Sequence, residues 1–250
     1  MSTHSLIAHR GASHCAPENT LAAILAARQL PQVDYIEIDL QLTSDGVPVV
    51  IHDTTAARTT AGACTRAINA MHSAEIARLE VGSWHSPQYR GAPLPTLSDV
   101  LALDIGAKKL MLDLKLEGSS ARRFAEELEI RIFSSAYKNS SEKLLFGSES
   151  LALLKEVANK LPGSSLIAIA DSLEAVETFL HSGITHLAIN SELLTEERMA
   201  LLRGQHIRIW SYTINSLLLA EQLLAQGAQG LITDIPENYA SMRGSVFLMM

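Results

Sequence analysis

IAHRGASHCAPENT, residues 7–20, begins inside a short apolar run and then breaks into His9-Arg10-Gly11. A His-Arg pair is a poor continuation for a strand buried on both faces, and a reasonable way to end one at a site. Ala16-Pro17-Glu18-Asn19-Thr20 follows and leads into an apolar pattern at Leu21, Ile24 and Leu25. A proline and a polar cluster ahead of helical periodicity read as a loop closing into a helix, with Asn19 or Thr20 as its N-cap. The opening unit is therefore strand, charged turn, helix.

The same unit recurs along the chain. Strand-like runs are SLIAH (5–9), YIEIDLQL (35–42), KLMLDLK (109–115), KLLFGS (143–148), SLIAIA (165–170), HLAIN (186–190), IRIWSYTI (207–214) and GLITD (230–234). Helical patterns fall over 19–30, 97–104, 119–136, 149–161, 172–181, 195–203 and 216–226. Continuous apolar strands, each followed by a helix, indicate a parallel sheet covered on both faces. Eight units in 250 residues favour a closed (β/α)8 TIM barrel over an open doubly wound sheet. No GxGxxG follows a strand, which weakens the dinucleotide-binding alternative. The chain reads as one α/β domain over residues 1–250. Its rhythm is broken once, after the second barrel strand, by an insertion of about residues 45–96. There Asp45-Gly46 signals a turn and VPVVIH a short strand, and scattered glycines and prolines suggest a small subdomain over the site.

Composition narrows the partners. Hydrophobic residues make up 47% and charged residues 19%, ample for a core and contrary to disorder. A net charge of −7 without a basic run gives no support for nucleic acid or for a membrane surface. Cys15 and Cys64 form no CxxC pattern, so neither a disulfide framework nor a cysteine metal site is expected. MSTHSLIAHRG lacks the basic and apolar regions of a signal peptide, and the apolar ending VFLMM (246–250) is far too short to span a bilayer. These features predict a cytoplasmic protein with no stable membrane insertion.

Strand alternation then groups the charges. Glu37 and Asp39 are two apart in YIEIDLQL and face one way, an arrangement that repulsion makes costly unless a cation intervenes. Asp113 and Lys115 share a face of LMLDLK. His9-Arg10 ends the first strand, and His52-Asp53 the short strand after Gly46. All fall at or near the C-terminal ends of strands, where such barrels carry their chemistry. Each alone has a plain structural reading, as a surface ion pair or a strand-end histidine; their coincidence at one end does not. Two or three carboxylates suit a hard divalent cation, Mg²⁺ or Ca²⁺, held by oxygen. Arg10 and Lys115 suit a phosphate, and His9 and His52 a general acid and base. Together they describe metal-assisted hydrolysis of a phosphoester. Trp210 and Tyr212 share a face of a later strand and either wall the pocket or fill the barrel. Asp234 either orients a site group or caps the helix near Pro236.

HRG with APENT, then EID, then DG..V..HD, resembles the glycerophosphodiester phosphodiesterase family. The likeness continues through RTTAG, LEVGSWHSP, LPTLSDVL, IWSYTIN and GLITDIP, over nearly the whole chain. It implies a TIM barrel with a small insertion after the second strand. It also implies His9 and His52 as the catalytic pair, Arg10 and Lys115 as phosphate contacts, Trp210 as an aromatic pocket residue, and Glu37 and Asp39 as metal ligands. The implied reaction hydrolyses a small glycerophosphodiester to glycerol 3-phosphate and an alcohol through a cyclic phosphate; the sequence leaves monomer and homodimer both open. Two positions depart from the pattern. Asp113 stands where the family keeps a glutamate as third metal ligand, shorter by about 1.5 Å of reach, and Ser148-Glu149-Ser150 replaces the usual Ser-Phe-Asp. A barrel that binds phosphodiesters without turning them over is an alternative of another class, separated by metal-dependent turnover. A lysophospholipid phosphodiesterase would want an apolar surface by the pocket mouth, which the insertion, with Trp84 and Tyr89 but few large aliphatic residues, does not visibly supply.

Overall fold

The computed structural model describes residues 4–243, so the apolar ending 246–250 lies outside the described residues. Nine strands form one sheet: β1 (Ser5–Ala8), β2 (Tyr35–Leu42), β3 (Pro48–Val50), β4 (Lys109–Leu114), β5 (Leu144–Ser148), β6 (Ser165–Ala170), β7 (His186–Asn190), β8 (Arg208–Tyr212) and β9 (Gly230–Thr233). Eight of them run parallel in the order β1-β9-β8-β7-β6-β5-β4-β2, and β1 pairs with β2 to close the barrel. β3 is the exception. It pairs antiparallel with the far end of β2, Leu40 against Val50 and Leu42 against Pro48.

The α-helices of the described residues are α1 (Leu21–Arg28), α2 (Ser73–Ile76), α3 (Leu97–Leu101), α4 (Ala121–Phe133), α5 (Leu151–Lys160), α6 (Leu173–Leu180), α7 (Glu196–Gly204) and α8 (Leu217–Ala225), with short 3-10 turns between elements. Those packed around the barrel begin alike. Thr20, Ser120, Ser150, Ser172, Thr195 and Ser216 each accept a backbone N–H through the side-chain oxygen at the starts of α1, α4, α5, α6, α7 and α8. Such a cap is worth about 1 kcal/mol, and it ends each loop sharply at the mouth. Of the two cap candidates beside α1, Thr20 serves and Asn19 is freed for the site. α2, which apolar periodicity did not announce, is a single turn within the insertion, started by a capping box between His72 and Glu75.

Two cores hold the barrel. Between strands and helices lies the larger one, including Ile36, Ile38, Leu112, Phe124, Phe146 and Phe179. Inside the barrel Ile7, Met111, Leu145, Ile167, Ile169, Ala188, Trp210 and Ile232 fill the lumen. The insertion adds a third, small cluster of its own around Val49, Ile51, Ile68, Met71, Ile76 and Leu94. Cys64 packs in that cluster, and Cys15 and Cys64 are both free thiols. Among the described residues no helix is long and apolar enough to cross a membrane.

Trp210 anchors the barrel floor. Its ring stands edge-on to Tyr35 at 5.0 Å and to His186 at 4.6 Å between centroids. Burial, with Arg208 nearby, pushes His186 down to about 3, so it is a neutral packing ring. Gly230 makes room for the indole: a Cβ there would lie 2.3 Å from the Trp210 ring. Gly230→Ala is therefore expected to destabilise the protein by about 1–3 kcal/mol through overpacking. A urea-unfolding midpoint equal to that of the unsubstituted protein would show that the lumen is less tightly filled.

Candidate active site

Charged groups gather where β1, β2 and β4 end. The β1 ladder continues one step, His9 N–H donating to Thr233 O at 2.9 Å, and the chain then turns. Arg10 (φ 55°) and Gly11 (φ 81°) both take the left-handed conformation, uncommon for a residue with a side chain and worth about 1–3 kcal/mol of strain when it does occur. Gly11 is required for a second reason, since a Cβ there would meet the Ala23 carbonyl carbon at 2.6 Å. The turn aims the Arg10 N–H at Glu37 Oε2, 2.7 Å away.

Alternation along β2 sends Glu37, Asp39 and Gln41 to one face, and parallel register sets Asp39 beside Asp113 of β4. One oxygen from each of Glu37, Asp39 and Asp113 lies within 4.8 Å of the others. All three residues are buried. Burial pushes Glu37 well up, and the charges of Asp39 and Asp113 add to it. Burial also raises Asp113, with Lys115 opposing and Asp39 adding. Burial alone would raise Asp39, but Arg10 and Lys115 overcome it and hold that carboxyl below its usual range. Asn19 donates to Asp39 Oδ2 at 2.8 Å and Arg10 Nε stands 3.2 Å from it. Lys115 Nζ lies 2.7 Å from Asp113 Oδ2 and 3.6 Å from Asp39 Oδ1. Asp113 Oδ1, although buried, has no hydrogen-bond partner. An unpartnered carboxylate oxygen inside a cluster of three buried carboxylates is the donor set that a hard divalent cation takes. The two oxygens of Asp113 thus differ: one meets Lys115, and the other has no hydrogen-bond partner.

Each histidine is held from behind by its own aspartate. His9 Nδ1–H donates to Asp234 Oδ1 at 2.6 Å and His52 Nδ1–H to Asp53 Oδ1 at 2.9 Å. Both rings keep Nε2 for other work, which in His9 lies 4.0 Å from Glu37 Oε2. Asp234 also accepts from Asn215 at 2.7 Å and from Ser13 at 3.2 Å. Burial would raise it, yet these bonds bring it down to about 2. Asp53 is likewise lowered to about 2, chiefly by its bonds from Arg58. Of the two roles open to Asp234, then, it orients a site group.

The APENT turn is a brace. Glu18 accepts from Arg10 Nη1 at 2.7 Å and from Arg58 Nη1 and Nη2 at 2.7 and 2.8 Å, and Arg58 Nε and Nη2 donate to Asp53 at 2.8 and 3.0 Å. Arg58 also rides over Trp84, 5.6 Å from its centroid. A continuous path of ion pairs therefore runs from Asp39 through Arg10, Glu18, Arg58 and Asp53 to His52. Gln41 fixes the same loop from β2, its Nε2 lying 2.8 Å from the carbonyls of His52 and of Asp53.

His9, Arg10, Glu37, Asp39, His52, Asp113 and Lys115 line a single pocket of about 200 Å³, walled on the far side by Glu149, Asp171 and Tyr212. Trp210 is not among its walls. It is 2% exposed in the barrel filling, one inward layer below, and the aromatic wall is Tyr212, two residues on. β8 sends both rings inward, and depth along the strand divides their tasks. A wider groove of about 570 Å³ lies at the opposite end of the barrel, beside Asp104, Arg131, Tyr137 and Lys143, away from every group above.

Three carboxylates, two carboxylate-braced histidines and two cations at the mouth of a (β/α)8 barrel are the outline of a phosphoester hydrolase. The chain belongs to the glycerophosphoryl diester phosphodiesterase family, whose sequence model matches residues 9–238. It is 28% identical to the glycerophosphodiester phosphodiesterase of Bacillus subtilis (strain 168), over 95% of this chain and 85% of that protein. A glycerophosphodiester phosphodiesterase of Caldanaerobacter subterraneus is also 28% identical, over 95% of this chain and 96% of its own length. Among solved structures, an Oleispira antarctica phosphodiesterase in complex with the product sn-glycerol-3-phosphate superposes with a TM-score of 0.86 at 27% identity, covering 96% of this chain and 97% of that one.

Asp234 gives a test by acid. A carboxyl held at about 2, against an ordinary value of about 3.9, contributes stability that is present above pH ~4 and is lost as pH falls toward 2. Asp234→Asn should therefore lose less stability than the unsubstituted protein between pH 4 and 2 in urea-unfolding series. Equal acid dependence of the two would mean that the His9–Asp234 bond contributes nothing to that slope.

Proposed function

We propose that the protein hydrolyses glycerophosphodiesters to glycerol 3-phosphate and an alcohol, with one divalent cation, Mg²⁺ or Ca²⁺, and a histidine pair as acid and base. The observation that carries this reading is the meeting of both aspartate-braced histidines with the three-carboxylate cluster in one pocket. Glu37, Asp39 and Asp113 would hold the cation, and the chemistry it supplies when bound is neutralisation of charge on the phosphate oxygens.

The rest of the work falls to the chain. Arg10 and Lys115 stand beside the cluster and add positive charge for the phosphate, which burial strengthens. One histidine Nε2 takes the proton of the free glycerol hydroxyl next to the phosphate. That oxygen forms a bond to phosphorus as the ester bond to the departing alcohol breaks, and the other histidine, protonated, gives its proton to the alcohol oxygen. Water then opens the cyclic phosphate, with the two histidines exchanging roles, so protons balance over the cycle. Asp234 and Asp53 hold each ring in the tautomer that exposes Nε2 and stabilise its charged form, the part a buried aspartate plays behind any catalytic imidazole.

Release of glycerol 3-phosphate from glycerophosphoethanolamine, read by a coupled dehydrogenase, tests this directly. Turnover is expected with added Mg²⁺ or Ca²⁺ and should vanish with a chelator. His9→Ala and His52→Ala should each cost at least about 10²-fold in rate. Full turnover by either variant would remove that histidine from the mechanism, and turnover indifferent to chelator would remove the cation.

A further inference from the structure

Glu149 follows β5 directly, with its carboxylate 3.7 Å from Lys115 Nζ and its side chain half exposed. It stands on a boundary. On one side is the catalytic pocket of about 200 Å³, and on the other an open cleft of about 610 Å³; His52, Lys115 and Glu149 belong to the walls of both. The pocket is smaller than the roughly 300–1,000 Å³ of ordinary ligand sites. It suits the glycerol and its phosphate, and leaves the second alcohol of a diester at the mouth.

The mouth is acidic. Beside Glu149, the exposed Asp171 lines the pocket and the exposed Glu117 lines the cleft. Apart from the two catalytic histidines, Arg10 and Lys115 are the basic side chains among the described residues of both linings, and each is already committed: Arg10 to Asp39 and Glu18, Lys115 to Asp113, Asp39 and Glu149. Tyr212 adds an aromatic wall, of the kind that attracts ammonium groups. Its hydroxyl is pushed up by burial and then by the charges of Glu149 and Asp171, which places all three within one electrostatic neighbourhood. A rim charge of this sort acts on which charged partner enters.

We propose that Glu149 is a specificity-determining residue: it favours diesters whose departing alcohol carries an ammonium group over diesters whose alcohol is neutral. The inference rests on the phosphodiesterase reading above.

The test compares kcat/KM for glycerophosphoethanolamine and glycerophosphocholine with that for glycerophosphoglycerol, in the unsubstituted protein, Glu149→Gln and Glu149→Asp. The unsubstituted protein should favour the ammonium diesters roughly three- to fivefold, the scale of one exposed charge pair. Glu149→Gln should bring the ratio close to one, Glu149→Asp should keep it, and about 0.5 M salt should shrink it in the unsubstituted protein. A ratio unaltered in Glu149→Gln, or an equal loss on all three substrates, overturns the proposal and leaves Glu149 acting only through Lys115. Absence of turnover on all three by the folded, cation-supplied protein would instead overturn the phosphodiesterase reading itself.

Discussion

Glu37, Asp39 and Asp113 place three carboxyl groups within reach of one another where water scarcely enters, and the remaining architecture answers that concentration of charge. Two of the three are driven toward their neutral forms by burial and by one another. Arg10, Lys115 and Asn19 hold the third ionised. A protein gains nothing from such crowding in a core, where apolar residues of equal volume would serve better. The proposed cation would relieve that crowding, and Asp113 Oδ1 stands there without a hydrogen-bond partner.

Around that cluster the same device is used twice: a histidine backed by an aspartate, and the aspartate held in turn by a donor. Behind His9 the donors are Asn215 and Ser13, and behind His52 the donor is Arg58. The second arm is longer because His52 comes from the insertion and not from a barrel strand. Glu18 and Gln41 tie that loop to β1 and β2, so a segment with its own small core is registered against the barrel to hydrogen-bond precision. The strain of a left-handed Arg10 fits this scheme, since the same turn delivers its N–H to Glu37 and its guanidinium to Asp39 and Glu18.

Much of this was legible in the sequence because period-two alternation is a local rule. It paired Glu37 with Asp39 and Asp113 with Lys115, and the repeated strand–helix unit announced the barrel. Contacts set by register or by long loops were not legible. That Asp39 faces Asp113 follows from parallel pairing of β2 with β4, and that Glu18 meets Arg58, 40 positions on, depends on how the chain between them folds back. Trp210 and Tyr212 show the limit well. Alternation puts both on one face, but only the level each reaches in the barrel makes one a lumen filler and the other a pocket wall. Gln41 carried no signal beyond its place on the Glu37–Asp39 face, although that place alone pointed it to the mouth.

Every proposed role around the pocket depends on binding of a divalent cation by the carboxylate cluster. Urea-unfolding midpoints at neutral pH, with chelator and with Mg²⁺ or Ca²⁺, measured on the unsubstituted protein and on Asp113→Asn, test it without reference to any substrate. Cation at a hundred times its dissociation constant should stabilise the unsubstituted protein by about 2.7 kcal/mol, and the variant far less. Midpoints that ignore both cations in the unsubstituted protein would contradict the account.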